Sequence, residues 1–285
     1  MDTNLLPALL VAGQVAAGLA AGIITTVGGM GGGLALLLLL SMLAGPMAAL
    51  AMTAPALLLG NLHRAARYRS DVDWPLAKRL VVGGLLGSLI GALVAVRLPP
   101  LIVQVGIVGM TALALAKRLT PLRWGVAPRL VMPITFANGA ISATMGGAGL
   151  LTAPLLMAAG LSGDAWIATG AVGAVAMHVG RVVGYGLGGM IDGPGLLTSA
   201  VLAVAIMAGN EVGVRVRGKL GDAGKRRFEL TVMVLVVVMS LAGVAKVARE
   251  SAPPRGPLVV ARTVVARKAV ARTAAAVNAP GVAAL

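Results

Sequence analysis

Long apolar runs constrain the fold of this chain more than any other feature of its sequence. Several of them approach the roughly 20 residues that an α-helix needs to cross the hydrocarbon core of a membrane. The run at residues 80–96 is apolar at odd and even positions alike, whereas a barrel strand alternates apolar and polar residues. Only 12% of the 285 residues are charged, about half of what a soluble domain carries. We therefore predict an all-α, polytopic membrane protein.

The positive charge of the chain does not predict nucleic-acid binding. The sequence has 24 Lys and Arg residues against 9 Asp and Glu, but the basic residues lie mainly in short loops and near the C-terminus. Basic loops set the orientation of membrane proteins, which accounts for them here. The chain has no cysteine, two histidines, and neither a Ser–His motif nor a metal-ligand cluster. We predict that it is not an enzyme and holds no cofactor or metal.

The apolar runs divide the chain into eight to ten predicted helical elements. They lie at about residues 5–27, 32–44, 46–61, 76–97 and 101–117 in the first half, and at about 130–146, 149–160, 164–186, 195–213 and 228–247 in the second. The elements at 32–44 and 149–160 are too short to span a membrane unaided. Each of these two follows a glycine cluster, and each holds the same place in its half.

The two halves carry the same motifs in the same order. The matching segments are Gly29–Gly33 with Met145–Gly149, Ala49–Thr53 with Ala165–Thr169, Val72-Asp73 with Ile191-Asp192, and Gly87–Gly91 with Gly209–Gly213. Such an ordered series predicts an internal repeat. We expect residues 1–120 to form a first membrane repeat, residues 121–248 a second, and residues 249–285 a basic, disordered tail.

The distribution of basic loops predicts how the halves are oriented. Basic residues concentrate at 63–79, 117–129 and 215–227, whereas the connections at 97–100 and 186–194 carry little or no basic charge. If the basic loops face the cytoplasm, each half crosses the membrane an odd number of times and the second half is inverted relative to the first. This scheme leaves the basic tail outside, so either the tail is an exception or one short element does not cross the membrane.

These duplicated motifs resemble those of the TauE/SafE sulfite exporter family. The resemblance covers about residues 10–248 and is carried in the second half by Gly149-Leu150-Leu151-Thr152-Ala153-Pro154-Leu155, Ala165–Thr169, Gly184-Tyr185, Ile191-Asp192 and Gly209–Gly213. In the first half it is carried by Gly29–Gly33, Ala49–Thr53, Arg67-Tyr68, Val72-Asp73-Trp74 and Gly87–Gly91. Leu38 stands where the family has a proline, and Met145 and Ala148 stand where it has glycines. The resemblance implies export of sulfite, organosulfonates or related small anions across the cytoplasmic membrane.

The glycine clusters are also the first candidate site when they are read from physical principles alone. Glycine runs at membrane depth interrupt a helix, and the released backbone groups persist only inside protein or beside a water-filled cavity. A helix that begins at such a break directs its N–H groups at the gap, which favours an anion. Close helix packing is the alternative. The candidate residues are Gly29, Gly31, Gly32, Gly33, Gly146, Gly147 and Gly149.

Polar residues inside the apolar runs complete the predicted site. Thr53 and Thr169 are repeat mates whose hydroxyls can bond a substrate oxygen, or alternatively their own helix backbone. His178 and Arg181 are three residues apart on one helix face, and ionisable residues in a span usually face a cavity or a partner. Arginine suits an oxyanion, and histidine suits proton coupling. For Arg181, snorkelling into the headgroups is the alternative.

Other polar residues favour structural interpretations. Asn61, His63 and Arg64 end a predicted helix, which favours an interfacial position. Glu211 is expected to pair with Arg215 or Arg217. The glycines of Gly87–Gly91 and Gly209–Gly213 are expected to pack helices together.

The sequence therefore predicts a multi-pass transporter of the cytoplasmic (inner) membrane, with a small-anion site near the membrane midplane between two repeats. Its expected partners are a small anionic substrate, membrane lipid, protons as a coupling ion and further copies of the chain. Two alternatives stay open, a passive anion-conducting pore and a noncatalytic membrane scaffold. Saturable, gradient-coupled flux distinguishes the transporter from the pore, and absence of flux favours the scaffold.

Overall fold

The computed structural model describes residues 5–28, 31–119 and 126–251. Within these ranges the chain forms ten α-helices and two short 3-10 turns, and no strand. The helices are α1 Leu5–Gly28, α2 Gly32–Ala44, α3 Pro46–Arg67, α4 Trp74–Ala95, α5 Pro100–Leu119, α6 Val131–Met145, α7 Ala148–Ala158, α8 Gly163–Leu187, α9 Gly193–Lys219 and α10 Asp222–Ser251. The prediction of an all-α fold is confirmed.

In the described part of the chain, four helices are long and apolar enough to cross a membrane by themselves: α1, α4, α8 and α9. The two predicted short elements are short in the structure as well. α2 has 13 residues and α7 has 11, so at 1.5 Å per residue they measure about 20 and 16 Å, well below the roughly 30 Å of a hydrocarbon core. The chain is therefore a polytopic membrane protein that combines helices of spanning length with shorter apolar ones.

Residue contacts group residues 1–247 into one compact unit and residues 248–285 into another. Of the second unit the structure describes residues 248–251, the last turn of α10. The rest of the predicted tail lies outside the described residues, so the tail stays a prediction. The division into two repeats also stays a prediction.

Glycines mark both helix breaks. Gly31 precedes α2 with φ 95°, and Gly146 and Gly147 separate α6 from α7 with φ 77° and 82°. These values lie in the left-handed region, which glycine adopts at little cost and other residues adopt rarely. The glycine clusters therefore end one helix and allow the next to begin within a few residues.

Helix packing crosses between the two halves of the chain. α1 packs along α9, and α6 packs along α4, so the first helix of each half lies on the fourth helix of the other. Glycines permit this close approach: a Cβ atom on Gly87 or Gly91 would overlap the backbone of α6, and one on Gly209 the backbone of α1. A Cβ atom on Gly213 would lie 2.8 Å from the side chain of Thr26. The prediction that these four glycines pack helices is confirmed.

The third helices of the two halves meet at the centre of this arrangement. α3 packs against α8, and each of them also packs against the fourth helix of the other half. The short helices α2 and α7 lie against α3 and α8, respectively. Asn210 of α9 connects the end of α1, next to the first break, with α3. It accepts a hydrogen bond from the hydroxyl of Thr26 on α1 and donates one to the carbonyl of Gly60 on α3, both at 3.0 Å.

Candidate functional site

A cavity of about 100 Å³ lies where the two helix breaks meet the α3–α8 pair. Gly31 and Gly33 line it from the first break, and Gly146 and Gly147 line it from the second. Because Gly31 and Gly147 are the N-caps of α2 and α7, both short helices begin at the cavity. The N-terminal end of a helix presents free N–H groups and the positive end of its dipole, which favours an anion.

Arg181 reaches the cavity from α8 and is 3% exposed. Its Nη2 donates to the carbonyl oxygen of Leu50 on α3 at 3.5 Å, and its Nη1 lies 3.4 Å from Nδ1 of His178. The guanidinium also lies 5.6 Å from the ring centroid of Tyr185, within reach of a cation–π contact. The Nε atom of Arg181 is buried and has no hydrogen-bond partner among the described residues.

His178 lines the same cavity one turn before Arg181. The 3.4 Å contact is a hydrogen bond only in the tautomer that leaves Nδ1 without a proton and places the hydrogen on Nε2. One turn after Arg181 on α8, the hydroxyl of Tyr185 donates to the carbonyl oxygen of Ala143 on α6. The structure thus brings the two predicted ionisable residues together in the cavity wall.

Asn61 and Arg64 of α3 also line the cavity, which their interpretation as interfacial residues did not predict. Each is 8% exposed. Nη2 of Arg64 donates to Oδ1 of Asn61 at 2.6 Å, and Nη1 donates to the carbonyl oxygen of Thr25 on α1 at 3.3 Å. As in Arg181, the Nε atom of Arg64 is buried without a hydrogen-bond partner in the described structure. A signal for these residues is present in the sequence, because Asn61 and Arg64 have the same three-residue spacing as His178 and Arg181.

The two predicted threonines differ in position. Thr53 lines the cavity, and its hydroxyl donates to the carbonyl of Ala49 on its own helix at 2.7 Å. Thr169 is fully buried away from the cavity wall, where its hydroxyl accepts from the backbone N–H of Asp73 at 3.0 Å. Thr169 therefore holds the start of α4 against α8.

The predicted glycines also divide between the cavity and the helix contacts. Gly31, Gly33, Gly146 and Gly147 line the cavity. Gly32 faces α1, because a Cβ atom there would overlap the backbone of Ala21. Gly149 lies in the first turn of α7. Gly29 lies outside the described residues.

The described cavity wall is positively charged. Its formally charged side chains are Arg64 and Arg181, and no described Asp or Glu lines it. Glu211 lies elsewhere, 3.5 Å from Nε2 of His63, so the predicted pairing with Arg215 or Arg217 is wrong. Arg217 instead donates to the carbonyl of Thr26 at 3.4 Å. Two buried guanidiniums without an acidic partner in the wall make this cavity suited to an anion.

Short helices that begin at a cavity inside a membrane bundle are typical of secondary transporters. The chain belongs to the sulfite exporter TauE/SafE family, whose model matches residues 14–243. Comparison with curated proteins and with solved structures found no match. The family is one of membrane transporters, so the chain is a multi-pass membrane transport protein, and the family resemblance inferred from the duplicated motifs is confirmed.

Proposed function

We propose that the chain is a secondary transporter that exports small anions, such as sulfite or organosulfonates, across the cytoplasmic membrane through the cavity between its halves. One observation carries this proposal. The cavity is bounded by both helix breaks and contains the buried guanidinium of Arg181, and no described acid lines it. A buried cation is costly unless an anion or several acceptors compensate it. An anionic substrate supplies that compensation.

The cross-packing of the halves supports a mechanism of alternating access. Each half contributes one break, one short helix and one central helix to the cavity wall. A movement of one half against the other would expose this cavity to the two sides of the membrane in turn. His178 contacts Arg181 directly, so protonation of His178 would add a second positive charge beside the anion and provides a route for proton coupling.

The test is substrate-induced current in proteoliposomes, measured for sulfite, sulfate, methanesulfonate, acetate and chloride with and without a pH gradient. We expect a saturable response to one class of anion that depends on the gradient. A linear, gradient-independent current would favour a pore. Absence of flux for every anion, with folded protein in the vesicles, would contradict the transporter and favour a scaffold.

Substitution of Arg181 connects that response to the cavity. Arg181→Gln removes a charge-assisted contact worth about 1.5–3 kcal/mol, so we expect the half-saturating anion concentration to rise by about 10-fold or more. Arg129→Gln is the matched control, since Arg129 is exposed. Equal effects of the two substitutions would mean that Arg181 is not part of the transport site.

A further inference from the structure

The residues of the cavity wall recur at a nearly constant separation along the chain. α3 contributes four lining positions with the spacing 0, +4, +8 and +11, which are Thr53, Leu57, Asn61 and Arg64. Adding 117, the offset between the first residues of α3 and α8, gives four lining residues of α8, which are Gly170, Ala174, His178 and Arg181. The motif offset that pairs Thr53 with Thr169 is one residue smaller. α8 adds two lining residues nearer its start, Trp166 and Ile167. The two central helices thus present the same face to the cavity at equivalent positions.

The short helices of both halves also line the cavity. α2 contributes Gly33, Leu34 and Leu37, and the described lining residues of α7 are Thr152, Ala153 and Leu156. Because the N-caps Gly31 and Gly147 differ by 116, the lining residues of α7 lie about one turn further along their helix than those of α2. Each half therefore contributes its short helix and its central helix to the wall, as a site between two predicted repeats requires.

On the basis of this correspondence between α3 and α8, we propose that Asn61 and Arg64 form the second half of the anion site, so that Arg64 and Arg181 bind one oxyanion together. The inference rests on the proposed function, because it requires an anion in this cavity. Each arginine contacts the polar residue three positions before it, at 2.6 Å for Arg64 with Asn61 and 3.4 Å for Arg181 with His178. Each is buried, and each has an unpartnered Nε–H donor within the described structure.

A purely structural role for Arg64 is the competing explanation. Its Nη1 donates to the carbonyl of Thr25, and the neighbouring carbonyl of Thr26 accepts from Arg217. These contacts stabilise the end of α1, where helical carbonyls lack partners. They leave the Nε–H of Arg64 unbonded and its charge uncompensated by any described acid in the cavity wall. Binding of an oxyanion accounts for both of these features.

The test measures anion binding to the purified full-length protein by isothermal titration, with sulfite, sulfate, methanesulfonate, acetate and chloride as probes. We expect Arg64→Gln to raise the Kd of the anion that binds best to the wild type by about 10-fold or more. Arg67→Gln is the matched control, because Arg67 is exposed one turn further along α3. We expect its Kd to stay within about twofold of the wild-type value.

The double variant tests whether both arginines contact the same anion. If they do, the effects of Arg64→Gln and Arg181→Gln on the Kd are coupled and do not add. If Arg64 only caps α1, Arg64→Gln lowers thermal stability and leaves the Kd unchanged. That result, or strictly additive effects, would overturn the inference while the wild type still binds.

The conservative substitution keeps the inference testable if Arg64→Gln fails to fold. Arg64→Lys retains the charge but lacks the planar set of donors that arginine offers to an oxyanion. We expect its Kd to rise several-fold, and a wild-type Kd in every folded Arg64 variant would contradict the shared site. Failure of the wild type itself to bind any probe would contradict the proposed function, so the two failures are distinguishable.

Discussion

Tyr185 makes two contacts, one with Arg181 and one with α6, that together hold Arg181 in position. Its ring lies 5.6 Å from the guanidinium carbon, and its hydroxyl donates to the carbonyl of Ala143 on α6. The tyrosine is fully buried, so both contacts are protected from water. Its ring stabilises the guanidinium of Arg181, which we propose binds the anion, and its hydroxyl holds that ring between α6 and α8.

Two substitutions of Tyr185 separate these contacts. Tyr185→Phe keeps the ring and removes the hydroxyl, so we expect a loss of about 1 kcal/mol in stability with anion affinity within about twofold of the wild type. Tyr185→Leu also removes the cation–π contact, worth up to about 2 kcal/mol when desolvated, so anion affinity falls several-fold. Thermal unfolding and anion titration in detergent measure the two effects. An unchanged affinity in Tyr185→Leu would exclude a positioning role for the ring.

Some residues of the cavity wall could be predicted from the sequence, and others could not. His178 and Arg181 were predictable because they interrupt a long apolar run at helical spacing. Asn61 and Arg64 were missed because the predicted helix ended at residue 61, whereas α3 continues to Arg67. The basic residues in its last turn suit the negative end of the helix dipole and are compatible with this extension. The contact of Glu211 with His63 joins α9 to α3 and depends on tertiary packing, which local spacing does not encode.

At the scale of helices, close approach of the backbones holds the two halves together. α4 uses Gly87 against α6, and α9 uses Gly209 against α1. In a membrane, where apolar contact with lipid competes with contact between helices, small residues allow the backbone approach that stabilises packing. These two glycines, 122 residues apart in the numbering, are predicted repeat mates, and each makes a close backbone contact with the first helix of the other half.

Alanine substitution tests these helix contacts. Gly87→Ala and Gly209→Ala place a Cβ atom against a neighbouring backbone, so we expect both variants to lose about 1–3 kcal/mol of stability. Gly109→Ala is the control: its Cβ atom meets nothing within 4 Å, and the change gains up to about 1 kcal/mol of helix propensity. Thermal unfolding in detergent provides the comparison. Equal stability of all three variants would mean that the glycines do not control packing.

Element positions were predictable because glycine clusters, prolines and apolar runs are local signals. The predicted and observed bounds of α2 are both residues 32–44, and those of α8 differ by one residue at each end. The pairing of α1 with α9 and of α6 with α4 was not predicted. These contacts join segments far apart in the sequence, and small residues on a helix identify a packing face without identifying its partner.

At the scale of the whole molecule, the proposed inverted repeat makes a specific prediction about sidedness. The segment 63–79, which includes the α3–α4 loop and its flanking helix ends, carries five Lys and Arg residues against two Asp, whereas the loop between α8 and α9 carries no Lys or Arg. Inversion places these two predicted equivalent loops on opposite sides of the membrane, with the basic segment in the cytoplasm. A parallel repeat would place both loops on the same side, so their sidedness distinguishes the two architectures.

Single cysteines can measure that sidedness directly, because the chain has no cysteine of its own. Ser70 and Gly193 are exposed residues of the two loop regions, and a Cβ atom on Gly193 meets nothing within 4 Å. We expect an impermeant maleimide to label Gly193→Cys in intact cells and to label Ser70→Cys only after permeabilisation. Gly221 lies between α9 and α10, which the same scheme places in the cytoplasm, so we expect Gly221→Cys to behave as Ser70→Cys does. Labelling of both Ser70→Cys and Gly193→Cys from outside would contradict the inverted repeat and support a parallel one. The cavity would then need a transport mechanism other than exchange between inverted halves.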